Sequence, residues 1–411
     1  MIEENYFQIT SCEVCKNKNL LPVLDLGLHP MCDDLVSISE DRICKEYPIE
    51  ILYCKECFTA HQRFQIPKDE LFPKSYHYRS RFTADVLSGM KNLVDRTEEI
   101  AGGIKGKKIL DVGCNDGSLL DFFREKGAET IGIEPTDASF DAEKKGHVVY
   151  SKFLSLELAK EVVEENGHPD FISFTNVFAH IENLTGVIEA LRYLAAENTI
   201  FIIENHYLGA VLDGNQFDTF YHEHPRTYSF TSFSYIARAL GCEIIDVEFP
   251  SRYGGNIRVF MGNADNRLSQ QNIDDITAKE SLFYEKFELM KLRIERWKIN
   301  KSRLIGQCVK EYGPLKAKAF PGRAAILVKL LGLDENQVSA AYEKPGSMKI
   351  GHYLPGTRIP ILSEADLFAK TDQNTPIINF AWHISKEIEA YLRSNGYKGE
   401  IVDILSKNDF E

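Results

Sequence analysis

The sequence lacks any long apolar run, and no window approaches the ~18 to 20 apolar residues that span a bilayer. It also lacks a basic excess, because 61 Asp and Glu residues outnumber 48 Lys and Arg residues and give a net charge of -13. A general nucleic-acid binder gains affinity by neutralising phosphates, so this acidity argues against a nucleic-acid partner. The opening residues, MIEENYFQITSC, contain no basic segment followed by an apolar one. We therefore expect a cytoplasmic protein with no membrane partner.

Internal repeats and low-complexity tracts are also missing, which excludes solenoid, fibrous and largely disordered classes. Apolar residues make up 44% of the chain and charged residues 27%, a balance typical of globular proteins. A chain of 411 residues is too long for one ordinary core. Its length predicts two to four domains.

Alternating strand and helix patterns organise most of the chain. ILDVG, TIGIEP, DFISFTNV and TIFIIE are strand patterns separated by helical ones, which predicts an α/β fold with a parallel, helix-covered sheet. A second, smaller alternation closes the chain. We predict a cysteine-rich module at 1–75, an α/β domain at 76–264, linking amphipathic helices at 265–310 and a Rossmann-like C-terminal α/β domain at 311–411.

Cysteines are crowded at the N-terminal end of the chain. Of nine cysteines, two pairs have the CxxC spacing, namely Cys12 with Cys15 and Cys54 with Cys57. Four thiolates on two tight turns suit tetrahedral Zn²⁺ and leave no open position for water, so we predict a structural zinc centre. The alternative is a set of free or redox-active thiols. Cys32 and Cys44 lack a CxxC partner and are expected to be buried as small apolar residues.

A glycine turn joins the first strand of the α/β domain to its helix in ILDVGCNDGSLLDFFREKG. Gly113 and Gly117 do not form the GxGxxG pattern of pyrophosphate cradles. Asp111 and Asp116 beside them would repel phosphate and suit a cationic or amino-bearing ligand. Glu134 follows the next strand ~20 residues later, where an acid can accept both hydroxyls of a ribose. A glycine turn alone is a weak signal, but its combination with this acid predicts a nucleoside-type ligand.

DVGCNDG followed by GIEP resembles motif I and the next acidic strand end of class I methyltransferases. This resemblance implies S-adenosylmethionine (SAM) as the cofactor. The positions that it assigns to cofactor binding are Asp111, Gly113, Asn115, Gly117, Glu134, Pro135, Phe153, Asn176 and Val177. For Phe153, which would cover the adenine, a place in the core is an equal alternative.

The whole chain is similar to the sugar C-methyltransferases that act on nucleotide-linked ketosugars. The stretches that carry the resemblance are CEVC, LDLGLHPMCDDL, CKEC, LFPKSYHYRS, NVFAHIENL, NQFDTFYHEH, RYGGNIRVF, HYLPGTRIPI and NFAWHI. The family typically methylates C3 of a dTDP-linked 4-keto-deoxysugar. The resemblance therefore implies a nucleotide-diphosphate sugar as substrate, with no protein partner required.

The stretch FDTFYHEHPRTYSF carries the candidate acid/base groups. A hydrogen next to a ketone can be removed by a well-placed base, and the resulting enolate is a carbon nucleophile. By resemblance, the catalytic candidates are His224 as base, Glu223 as its helper, Tyr221 as hydroxyl donor, Tyr76, and His180 as a second possible base. The alternatives are a hydrogen-bonded loop and a second metal site at His222 and His224.

A second group of residues is expected to hold the substrate, in part through charge-assisted bonds to its diphosphate. It comprises Tyr78, Asn176, His222, Arg258, Arg323, His352, Tyr353 and Arg358, with Arg252 as a further basic candidate. Each arginine could instead form an ordinary ion pair. Two other functions stay open: a SAM-dependent O- or N-methyltransferase acting on a nucleotide sugar or related small molecule, and a non-catalytic zinc protein that retains SAM as a structural or sensing ligand.

Overall fold

The computed structural model describes residues 6–71, 81, 84–263, 268–370 and 373–410. Tyr76 and Tyr78, both singled out by the sequence, lie outside these described residues. Among the described residues, no helix is both long enough and apolar enough to cross a membrane.

Strands and helices follow one another along most of the described chain. In chain order the strands are β1 (Phe7–Gln8), β2 (Leu20–Pro30), β3 (Val36–Ser37), β4 (Glu46–Cys54), β5 (Ala60–Gln62), β6 (Phe64–Gln65), β7 (Lys108–Val112), β8 (Glu129–Ile133), β9 (Val148–Tyr150), β10 (Phe171–Thr175), β11 (Ile200–His206), β12 (Arg226–Thr227), β13 (Glu243–Glu248), β14 (Asn256–Gly262), β15 (Leu315–Lys318), β16 (Val338–Glu343), β17 (His352–Tyr353), β18 (Ile361–Ser363), β19 (Ile377–Asn379) and β20 (Ile401–Asp403).

The helices run beside these strands. They are α1 (Lys68–Leu71), α2 (Ala84–Ala101), α3 (Ser118–Glu125), α4 (Ser139–Lys144), α5 (Leu156–Asn166), α6 (Leu184–Leu194), α7 (Leu208–Asp213), α8 (Phe230–Leu240), α9 (Gln270–Glu280), α10 (Phe283–Tyr312), α11 (Ala324–Leu331), α12 (Glu364–Lys370) and α13 (Ser385–Ser394). In the stretch 265–310, where linking helices are predicted, the described chain forms α9 and most of α10.

The chain forms two compact units from discontinuous segments. The first unit comprises Met1–Leu21, Leu52–Val211 and Glu223–Tyr284, and the second comprises Pro22–Ile51, Leu212–His222 and Glu285–Glu411. Unit boundaries fall inside β2 and β4 and directly before Glu223.

A seven-stranded sheet in the order β13-β14-β11-β10-β7-β8-β9 forms the centre of the first unit. The strands from β7 to β11 are parallel, as the sequence predicts, but β14 is antiparallel to both β11 and β13. The connection between β13 and β14 is too short for the helical crossover that parallel strands require. The sheet is therefore mixed, and the predicted α/β fold class is confirmed.

The central strands are buried because helices cover both faces of this sheet. Leu110 of β7, Ile172 of β10 and Ile203 of β11 are fully buried in one cluster. On the opposite face, Leu120 and Phe123 of α3 pack in a second cluster. The strand order reverses between β7 and β10, and in doubly wound sheets a ligand binds at the carboxyl ends of strands beside such a reversal.

The second unit contains a smaller sheet, which is parallel throughout. Its order is β18-β16-β15-β19-β20, so the strand order reverses between β15 and β19. Leu367 of α12 and Leu392 of α13 pack into its core. This sheet confirms the predicted second Rossmann-like α/β region.

Candidate active site and metal centre

The two CxxC segments fold into matching turns. The residue after each pair, Lys16 or Phe58, has a left-handed backbone with φ of 66° or 56°. Each turn is closed by a main-chain bond, from Lys16 N to the Cys12 carbonyl at 2.9 Å and from Phe58 N to the Cys54 carbonyl at 2.8 Å. These turns point both cysteines of each pair toward one centre.

The four sulfur atoms meet as a metal site requires. The Sγ atoms of Cys12, Cys15, Cys54 and Cys57 lie within 4.8 Å of one another. A Zn–S bond of ~2.3 Å in a tetrahedron separates sulfurs by roughly 3.8 Å, and the measured separations of 3.4 and 3.5 Å lie near this value. The four thiolates thus fit a structural Zn²⁺, which they would hold with no coordination position left for catalysis.

The glycine turn after β7 has a left-handed backbone at three positions. Gly113, Asn115 and Gly117 have φ of 76°, 50° and 73°. A Cβ atom on Gly113 would lie 2.4 Å from Cγ2 of Val177, so this glycine also permits close approach of the segment after β10. The turn brings main-chain groups to the carboxyl edge of the sheet, where α3 begins at Ser118.

Glu134 lies beside this turn, as the sequence spacing predicts. Its Oε2 accepts a hydrogen bond from the main-chain N of Asn115 at 3.0 Å, and its Oε1 accepts bonds from N and Oγ1 of Thr136 at 2.9 and 2.7 Å. The carboxylate is 6% exposed. It is therefore fixed in place, and its remaining lone pairs can accept ribose hydroxyls.

The two aspartates of the turn have separate structural roles. Burial raises the pKa of Asp111 to about 7, partly offset by Ser173, whose Oγ donates to it at 2.6 Å. Asp116 is fully buried and accepts hydrogen bonds from N and Oγ of Ser118 at the start of α3. Both carboxyl groups therefore stabilise the turn, and cofactor binding by Asp111 stays a prediction.

The segment after β10 also reaches this edge. Asn176 has φ of 55°, and its main-chain N donates to the Glu204 carbonyl at 2.7 Å. Its side-chain Oδ1 accepts from Nδ2 of Asn256 at 3.2 Å. Phe153 is 38% exposed and its ring lies 4.5 Å from Nζ of Lys68, so it is not a core residue. Pro135 directly follows Glu134.

Three histidine rings cluster near the same edge. The His224 ring centroid lies 4.8 Å from that of His180 and 5.5 Å from that of His206. His180 follows β10 in a 3-10 turn, His206 ends β11, and His224 lies before β12. The sequence singled out His180 and His224 but missed His206. His206 follows the strand pattern TIFIIE by two residues, and a lone histidine at such a position carries no distinctive signal.

The hydrogen bonding of His180 determines its tautomer. Its Nδ1 lies 2.7 Å from the carbonyl oxygen of Glu223 and must donate, because a carbonyl can only accept. Burial lowers the pKa of His180 to about 4, partly offset by hydrogen bonds to the main chain of Glu223 and Asn176, so the ring is neutral at physiological pH. Glu223 and His224 are 8% and 6% exposed.

The basic residues expected near a diphosphate in the first unit form buried ion pairs. Arg258 Nε lies 2.7 Å from Oε2 of Glu204, and its Nη1 lies 2.6 Å from Oε2 of Glu248. Arg252 Nη1 lies 3.4 Å from Oε1 of the same fully buried Glu204. These guanidinium charges are thus balanced within the fold. Diphosphate binding by Arg258 stays a prediction.

The remaining sequence candidates belong to the second unit. Arg323 is bidentate to Asp218 at 2.8 and 2.7 Å, and Arg358 donates to the carbonyls of Glu40 and Asp41 at 3.0 and 2.8 Å. His222 donates from Nε2 to the Tyr47 carbonyl at 3.2 Å, and burial lowers its pKa to about 4. The other members of this group are His352 and Tyr353, which form β17, and the half-buried Tyr221.

Comparisons with known proteins agree with this geometry. Residues 12–72 match a family model for a zinc binding domain, 81–247 match the model "Methyltransferase domain", and 251–402 match the model "C-methyltransferase C-terminal domain". The fold and these matches indicate a SAM-dependent methyltransferase whose four-cysteine cluster would hold zinc.

One relative is similar along most of both chains. The C-methyltransferase NovU of Streptomyces niveus is 26% identical over 390 residues, which cover 92% of this chain and 91% of that protein. A ubiquinone biosynthesis O-methyltransferase of Acinetobacter baylyi is 30% identical over only 104 residues, 24% of this chain and 42% of that protein. Matches to family models and to this relative thus extend over most of the chain.

Among solved structures, the SAH-bound magnesium protoporphyrin IX methyltransferase of Synechocystis is 16% identical. The aligned residues cover 43% of this chain and 83% of that chain, and the TM-score is 0.35.

Proposed function

We propose that the protein transfers the methyl group of SAM to C3 of a nucleotide-linked 4-keto sugar, next to the keto group. The match to the C-methyltransferase C-terminal domain and the likeness to NovU support transfer to carbon. The observation that carries the enolate mechanism is the histidine cluster around His224 at the edge of the sheet. SAM, when bound, supplies an electrophilic methyl group on a sulfonium.

In this proposal His224 removes the proton from the carbon beside the ketone. A neutral imidazole has the basicity for this step at pH near 7. His180 packs against its ring and is kept neutral by burial, so His180 adds no positive charge that would weaken the base. Glu223 is expected to assist His224. From the resemblance, Tyr221 is expected to donate to the keto oxygen, and Tyr76 is a further catalytic candidate.

We further propose that the second unit recognises the nucleotide half of the substrate. Its five-stranded parallel sheet has the strand-order reversal at which such folds bind ligands. Arg323 lies in the segment between β15 and α11, next to that reversal. Its guanidinium lies 5.3 Å from the ring of Trp382. His352, Tyr353 and Arg358 are the other residues assigned to this role. A four-thiolate zinc centre suits the reducing cytoplasm, where we place the enzyme.

The test is to incubate the full-length, zinc-loaded protein with SAM and individual nucleotide-linked 4-keto sugars, and to locate the new methyl group by mass spectrometry and NMR. We expect one added methyl on the ring carbon beside the ketone. His224→Gln should reduce the rate at least 100-fold, in the range of ~10² to 10⁴ that general bases contribute. The control His168→Gln, on an exposed ring, should match the parent. A methyl group on oxygen or nitrogen would contradict the proposal.

A further inference from the structure

A buried ion pair joins the first zinc knuckle to the segment that carries the proposed base. Glu13 lies between the ligands Cys12 and Cys15, and its Oε2 lies 2.5 Å from Nη1 of Arg226. The side chain of Arg226 is 0% exposed and follows His224 by two residues. A guanidinium buried to this extent depends on a carboxylate partner. The zinc knuckle therefore supplies the countercharge for the segment after His224.

Other side chains hold this ion pair in place. Glu13 accepts a hydrogen bond from Nε2 of Gln65 at 2.7 Å. Arg226 donates from Nε to the hydroxyl of Tyr228 at 3.0 Å. Because both partners have additional bonds of their own, the contact has one defined geometry and is not an interchangeable surface pair.

Main-chain bonds tie the same segment to the strand that follows the second knuckle. Strand β5 comes directly after Cys54–Cys57, and its residues Ala60 and His61 pair antiparallel with β12. Gln62 N donates to the carbonyl of Pro225 at 2.8 Å, which is the residue next to His224. The backbone on the C-terminal side of His224 is thus paired with the strand that follows the second knuckle.

The start of α8 is anchored to the second knuckle as well. The hydroxyls of Ser229 and Ser232 both donate to the carbonyl of Cys57, each at 3.1 Å. Thr59 Oγ1 lies 2.7 Å from Oγ of Ser232. Residues 225–232 are therefore fixed to both zinc knuckles. The glycine turn after β7 is instead hydrogen-bonded to Ile133 of β8 and to the side chain of Glu134.

We infer that the zinc module is a positioning element of the active site, in which Glu13 and Arg226 orient the segment that starts at His224. The catalytic part of this inference rests on the proposed function of His224. Neither Glu13 nor Arg226 is assigned a contact with substrate or cofactor. Both act through β12 and Pro225, so they are positioning residues. Loss of zinc or of the ion pair should displace His224 and leave the glycine turn intact.

The first experiment does not depend on catalysis. Hydrogen exchange is followed by mass spectrometry in zinc-loaded Glu13→Gln and Arg226→Gln proteins and in the chelator-treated parent. We expect exchange in peptides covering 221–232 to accelerate at least tenfold in all three, with the 109–127 peptide unchanged. Glu13→Gln keeps all four cysteines, and zinc content should stay at one per chain. Asp246→Asn, which removes the half-exposed ion pair with Arg96, is the matched control and should leave both peptides unchanged.

The second experiment measures kinetics with the same variants. We expect kcat for methyl transfer to fall at least tenfold in Glu13→Gln and Arg226→Gln, with SAM affinity within twofold of the parent. Arg226→Lys should recover part of the loss because it restores the charge. Unchanged exchange at 221–232, or equal acceleration at 109–127, would overturn the inference. If exchange responds as expected but the parent methylates no keto sugar, the proposed function fails and the positioning role stands.

Discussion

A neutral histidine beside the proposed base is the most consequential single residue. Burial keeps His180 uncharged, and its Nδ1 lies 2.7 Å from the carbonyl oxygen of Glu223. A cationic ring at a centroid distance of 4.8 Å would lower the basicity of His224, so burial of His180 favours base catalysis. The same burial makes the stability of the fold depend on pH.

The fold should lose less stability at acidic pH in the His180→Gln variant than in the parent. Unfolded histidine binds a proton below pH ~6.5, whereas folded His180 resists protonation until about pH 4. Between these pH values the unfolded state binds more protons than the folded state. The free energy of unfolding therefore decreases as the pH falls, by roughly 3 kcal/mol in total. Melting temperatures measured from pH 7 to 4.5 should therefore decline more steeply for the parent than for the variant. His168→Gln is the control, and parallel curves for parent and His180→Gln would refute this prediction.

Among the elements, the β7–α3 turn has the strictest geometric requirement. Gly113 needs a positive φ and also leaves no room for a Cβ atom, which would lie 2.4 Å from Cγ2 of Val177. Gly106 has a similar φ of 72°, but a Cβ there would have nothing within 4 Å. Substitutions at these two glycines therefore distinguish the effect of backbone strain from the effect of close packing.

Gly113→Ala should weaken SAM binding far more than Gly106→Ala. Both substitutions strain the backbone by about 1 kcal/mol, but only the first displaces the segment after β10. Calorimetry should show at least a tenfold loss of SAM affinity for Gly113→Ala and less than a twofold change for Gly106→Ala. Equal affinities in the two variants would mean that the contact with Val177 does not shape the cofactor site.

Local patterns predicted the elements whose signal is contained in a few residues. Features of this kind are both CxxC turns, the glycine turn and the acid after the second strand. Residue spacing alone was enough to predict the positions of Cys12 and Glu134. The antiparallel β14 was missed, because alternating strand and helix patterns do not encode strand direction. His206 was missed since a lone histidine after a strand carries no distinctive signal.

At the scale of the whole molecule, the decisive features depend on pairing between distant segments. Glu13 and Arg226 are far apart in sequence. The residues around either one give no sign of the other, so their ion pair could not be predicted. The two compact units also draw on discontinuous segments, which composition does not reveal. Similarity to the C-methyltransferase NovU extends over 92% of the chain and is likewise a property of the whole molecule.

The most direct measurement of the central claim is deuterium incorporation at the carbon beside the ketone. A nucleotide-linked 4-keto sugar is incubated with the zinc-loaded protein in D₂O, together with S-adenosylhomocysteine so that no methyl transfer competes. The account predicts that the parent and His168→Gln incorporate deuterium at that carbon, and that His224→Gln slows incorporation at least 100-fold. Product methylated on that carbon by the parent, combined with incorporation that does not depend on His224, would contradict it.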